Sequence, residues 1–75
     1  MNEKKYVIKN GSAIIFSSAI NHSDFGGGIE GAGFVSIYSE LGSDDVDCVC
    51  YGESISLGIK SRGEEDAWII KSQLF

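Results

Sequence analysis

The segment from residue 5 to residue 16, KYVIKNGSAIIF, holds Asn10-Gly11 between two apolar runs. That dipeptide is the strongest short-range hairpin signal, because both central positions of a type I′ turn need positive φ. Strands are expected at about 5–9 and 12–17. With Lys9 opposite Ser12, Tyr6 meets Ile15 on one face and Val7 meets Ile14 on the other. Apolar residues on both faces call for at least partial cover on both.

Downstream, SSAINHSDFGGGIEGAG shows no sustained period and ends with five glycines within eight residues. A short helical turn around Ser18 to Phe25, then a mobile glycine-rich loop, fits that composition. GFVSIYSE (33–40) and DVDCVCY (45–51) follow as a second strand pair. A connection over Leu41 to Asp44 sets Val35 against Cys50 and Ile37 against Cys48, with Val46 on the same side. It also sets Glu40 against Asp45, a like-charge pair suited only to an exposed hairpin end. ESISLGIK (53–60) alternates Ile55, Leu57 and Ile59 with small or polar residues, the pattern of a strand with one buried face. In SRGEEDAWIIKSQLF, Ser61 precedes Glu64 by three residues as a capping box, and three acids occupy the first turn. A helix is expected over about 62–73, with Ala67, Ile70 and Leu74 as its core stripe and a second apolar face at Trp68 and Phe75.

These elements predict an α+β class: an antiparallel sheet of about five strands, one C-terminal helix packed on one face and a Gly-rich loop after the first hairpin. Residues 1–75 read as one small domain. At 75 residues folding buries only roughly 60% of the chain surface, so self-association is expected to assist. A 43% hydrophobic content excludes a disordered chain. No secretory leader or membrane span is legible, so a cytoplasmic location is expected, with both cysteines as thiols and NGS and NHS without meaning for glycosylation. The net charge of −5, with Arg62 the sole arginine, argues against nucleic acid and anionic membrane as partners. A basic protein partner, or a nucleic-acid-binding protein held by an acidic inhibitor, stays compatible with that charge.

The candidate sites divide by chemistry. Strand neighbours at i and i+2 lie about 6.6 Å apart, whereas a disulfide wants Cβ atoms near ~3.8 Å, so Cys48 and Cys50 do not bridge each other. Zinc would need His22 and Asp24 as further ligands, without zinc-motif spacing, and the pair reads as buried structural thiols. Gly26, Gly28 and Gly31 match G-x-G-x-x-G, but a strand rather than a helix follows and no Lys-Ser/Thr is present, which removes nucleotide binding. Asp44, Asp45 and Asp47 lack the calcium-loop pattern and solvate a hairpin tip. With Glu64, Glu65 and Asp66 they make an acidic patch if the fold joins the two regions. No catalytic residue, metal ligand or cofactor is assigned.

Two surfaces remain. A possible ligand site combines Asn21, His22 and Asp24 from one loop with Tyr51, Glu53 and Ser54 from the YGES junction. Imidazole and carboxylate there suit small-molecule binding or hydrolytic acid–base work. The simpler reading makes NHSD a turn cap and YGE a bend between strands. A possible interface is formed by Trp68 and Phe75 together with an open sheet edge. The leading expectation is a non-catalytic protein-interaction module, a homodimer or a docking unit for another protein.

Overall fold

The computed structural model describes residues 2–39 and 46–74. Strands β1 (Asn2–Lys9), β2 (Ser12–Phe16), β3 (Ile29–Ser39) and β4 (Val46–Tyr51) form one antiparallel sheet in the order β2-β1-β3-β4. A two-stranded ribbon, β5 (Glu53–Ser54) and β6 (Ile59–Lys60), forms a second small sheet, and helix α1 (Glu64–Leu74) ends the described chain. The class is α+β.

The first hairpin closes at Asn10 and Gly11, with φ of 53° and 76°, and its register pairs Lys9 with Ser12, Val7 with Ile14 and Tyr6 with Ile15. Because β1 lies between β2 and β3, Tyr6, Val7 and Ile8 are all fully buried. On one face Tyr6, Ile8, Val35, Cys48 and Cys50 pack against Ala67 and Ile70 of α1. On the other, Val7, Phe16 and Ala32 are covered by Phe25, Ile29, Leu57 and Ile59. The His22–Phe25 3-10 turn and the β5–β6 ribbon supply most of that second cover.

β3 starts at Ile29, not at the residue-33 start read from the sequence, and takes in Gly31 and Gly33. Both glycines are used for close approach, not for mobility. A Cβ on Gly31 would lie 2.4 Å from Asp66 Oδ2, and one on Gly33 would lie 2.5 Å from the Tyr51 carbonyl. The ESISLGIK strand is also corrected. Ser54 Oγ accepts from Leu57 N–H at 3.3 Å, and Gly58 has a φ of 67°. This local side-chain turn outcompetes an extended segment, turning Leu57 and Ile59 inward and leaving Ile55 88% exposed.

Helix α1 keeps Ala67 and Ile70 of its expected stripe buried but not Leu74. Leu74 is half exposed, and the sheet-facing residues are Asp66, Ala67, Ile70 and Gln73. Asp66 is fully buried over β1 and β3. The Tyr6 hydroxyl lies 2.5 Å from Asp66 Oδ2 and 2.7 Å from Ser61 Oγ; with one proton, it donates to the carboxylate and accepts from the serine. Arg62 adds its backbone N–H at 2.9 Å and its Nε at 2.7 Å. Ser61 Oγ accepts from Gly63 N–H at 3.1 Å, so the N-terminal turn is closed by Asp66 reaching back to Arg62 and by Ser61 turning onto Gly63. Phe75 and the expected tip with Glu40, Leu41, Asp44 and Asp45 lie outside the described residues.

A fold of this size holds on the order of 4–11 kcal/mol, and stripping a buried ion pair of one partner costs roughly 3–5 kcal/mol. Asp66→Ala is therefore expected to lower the urea midpoint steeply, and Gly31→Ala to do the same by steric conflict. The double variant is expected to lose less than the sum, because truncating Asp66 frees the space the Gly31 methyl needs. Strict additivity in a urea double-mutant cycle would contradict this packing.

Candidate functional site

The β3–β4 register pairs Val35 with Cys50 and Ile37 with Cys48, as the sequence pattern predicts. Both cysteines are buried free thiols, and Cys48 Sγ donates to the Ala67 carbonyl at 3.6 Å. Burial pushes the Cys50 thiol up to about 12 and raises Cys48 as well. Both shifts disfavour the thiolate, in keeping with buried structural thiols. Among the described residues no three His, Cys, Asp or Glu side chains gather into a metal-holding group. No helix among them is long and apolar enough to cross a membrane.

The expected ligand residues separate into two groups. His22 and Glu53 line one hollow of about 260 Å³, with Asn21, Lys5, Phe34 and Ile55. His22 is 4% exposed and its Nε2 lies 2.9 Å from the Gly33 carbonyl oxygen. A carbonyl only accepts, so Nε2 carries a proton and Nδ1 is the acceptor in the neutral ring. Phe16 and Phe34 meet that ring edge-on, with centroids at 5.5 and 6.1 Å. The other three residues do not line the hollow. Asp24 is exposed on the 3-10 turn. Tyr51 stacks on Phe34 at 6.1 Å and gives its hydroxyl proton to Glu3, a bond that pushes its pKa upward. Ser54 is buried and spends its hydroxyl on Ser56 and Leu57.

The second surface surrounds β4. Trp68 is 69% exposed, and Tyr38, Val46, Val49 and Tyr51 are also substantially exposed. Tyr38, Val49 and Trp68 line an open cleft of about 500 Å³ that runs between β4 and α1. Asp47 lies across this edge. Its Oδ1 accepts from Cys48 N–H at 2.8 Å and meets Lys71 Nζ at 2.5 Å, while Tyr38 donates to Oδ2 at 3.3 Å. The Lys71 hydrogen bond holds the Asp47 carboxyl below its ordinary range. At the opposite edge, Gln73 receives Ala13 N–H at 2.9 Å and donates to Ala13 O at 2.7 Å, as a neighbouring strand would.

Sequence reasoning found Trp68 but missed Lys5, Phe34, Tyr38 and Val49. Cross-strand neighbours supply the missing signal: Phe34 sits opposite both Lys5 and Tyr51, and Tyr38 opposite Asp47. No family model, curated protein or solved structure matches the chain.

Burial and the Asp66 hydrogen bond raise the Tyr6 pKa. Raised native pKa values at Tyr6, Cys48 and Cys50 stabilise the fold below the unfolded-chain values, and that stabilisation is lost as pH rises toward the native ones. The urea midpoint is expected to fall from about pH 9 upward, with Tyr6→Phe showing a shallower decline. Native protein at pH 8 is expected to resist thiol alkylation that proceeds readily in urea; equal rates in both would contradict burial of the thiols.

Proposed function

We propose that this chain is a small cytoplasmic, non-catalytic interaction module that pairs with a second copy of itself along the edge of β4. The observation that carries the reading is the concentration of Trp68, Val46, Val49, Tyr38 and Tyr51 on and beside one edge strand. Exposed apolar groups gathered at a strand edge favour docking over solvent. Val46, Val49 and Trp68 are not held by polar partners among the described residues, whereas Tyr51 and Tyr38 are tethered to carboxylates at its rim.

The two edges differ in their availability. Gln73 satisfies both the donor and the acceptor of Ala13, so strand addition at β2 would break two bonds. At β4 the Cys48 N–H donates to the side chain of its own neighbour, Asp47. Lys71 keeps its hold on that same oxygen, so an incoming carbonyl at this N–H would displace one side-chain bond, against two at β2. The sequence of β4 is also compatible with itself. In an antiparallel pair centred on Cys48, Asp47 of one copy lies opposite Val49 of the other, and Val46 opposite Cys50. Like charges do not meet, and the interface is isologous.

Size exclusion with light scattering over a wide concentration range tests the reading. Wild type is expected to be a dimer, and Val49→Lys and Trp68→Ala folded monomers. Because each copy carries a charge of −5, association is expected to tighten from about 0.05 to about 0.5 M salt as screening increases. A wild-type monomer at every concentration overturns self-pairing. Salt-sensitive capture of a basic nucleic-acid-binding protein by that monomer would favour the acidic-inhibitor alternative.

A further inference from the structure

We propose that the hollow beside His22 binds a small zwitterion of amino-acid size, with its ammonium group between Glu53 and His22 Nδ1 and its carboxylate on Lys5. A volume of about 260 Å³ equals roughly nine water-sized shares of ~30 Å³, enough for a single free amino acid and too small for a folded partner.

Each wall contributes a group that the fold leaves uncommitted. His22 is almost wholly buried and uses Nε2 on Gly33. Among the described residues Nδ1 has no partner, yet no buried side-chain polar atom there lacks one. Nδ1 therefore reaches accessible surface, and His22 lines the hollow. The Lys5 ammonium donates to the Ile20 carbonyl at 3.0 Å, which pins it while leaving N–H groups for a carboxylate. Neither Lys5 nor Glu53 belongs to an ion pair among the described residues, although both line the same hollow. Glu53 has Lys60 as its cross-strand neighbour without forming an ion pair to it.

Two opposite charges at one hollow, ion-paired neither with each other nor with another described residue, complement a ligand that carries both signs. A singly charged ligand would cover one of them without compensation, which is costly once water is displaced. Phe34 and Ile55 supply the apolar wall. Ile55 is 88% exposed at the rim, so an aliphatic side chain laid against it removes apolar surface from water. The preferred occupant is accordingly an aliphatic α-amino acid.

The test is a titration of ¹⁵N-labelled protein with L-leucine, leucinamide, which lacks the carboxylate, and 4-methylpentanoate, which lacks the ammonium group. Leucine is expected to give saturable shifts clustered at residues 21–22, 34 and 53–56, with both analogues about tenfold weaker or worse. Glu53→Gln keeps the shape of an exposed side chain, so its spectrum away from the hollow is expected to match wild type. It should weaken leucine about tenfold while leaving 4-methylpentanoate at least as tight as before. Absence of saturable shifts at tens of millimolar leucine overturns the proposal. Equal binding of all three compounds, or unchanged leucine binding in Glu53→Gln, also overturns it.

Discussion

The carboxylate of Asp66 is the constraint around which the molecule is arranged. A charge taken wholly out of water is tolerable only when its lone pairs are filled, and Asp66 draws its donors from Tyr6 and from the backbone and guanidinium of Arg62. Those partners tie the central strand β1 to the start of α1, 60 residues later in the chain. The space for the carboxylate comes from Gly31, whose missing side chain lets the helix approach β3. One buried charge thereby explains the position of a helix, a glycine in a strand and a tyrosine at the sheet centre.

The seating of α1 decides what each sheet edge presents. Gln73, two turns after Asp66, arrives at β2 with its amide in line with Ala13. Lys71 arrives near β4 and holds Asp47 over the Cys48 N–H. Trp68 is left beside β4 with most of its surface in water. On the opposite face, the sheet receives its cover from two short pieces, the 3-10 turn and the β5–β6 ribbon. Their meeting over β1 and β3 makes the hollow that His22, Lys5 and Glu53 share. The two surfaces thus arise from different layers of the same packing.

The sequence was most legible where local chemistry and period agreed. Asn10-Gly11 and the alternation around it were enough for the register of β1 with β2, and the spacing of Val35, Ile37, Cys48 and Cys50 for that of β3 with β4. Where a residue answered to a distant group, the pattern misled. Gly31 read as loop, and Gly33 as no more than a strand start, because their reason, the approach of Asp66 and of the Tyr51 carbonyl, lies elsewhere in the chain. Asp66 read as a dipole-matched acid of a first helical turn and a member of an acidic patch, since nothing nearby announces the Tyr6 hydroxyl. Ile55 read as strand because alternation does not register that Ser54 and Gly58 close a turn around it. Of the candidate ligand residues, His22 and Glu53 converge. Tyr51 and Ser54 are committed to neighbours that only the folded chain brings to them.

The Gln73 amide also governs how the chain is made. During synthesis the β1–β2 hairpin leaves the ribosome with the backbone of Ala13 unpaired, and its partner lies 60 residues behind. Until the last turn of the helix is translated, β2 is an exposed strand in a sticky, apolar hairpin, the kind of edge that recruits other nascent chains. The C-terminal turn therefore works as a late-arriving lid on an aggregation-prone edge. A ribosome that stalls or terminates shortly before Gln73 would release a chain carrying nearly all of its core residues but lacking the group that closes this edge.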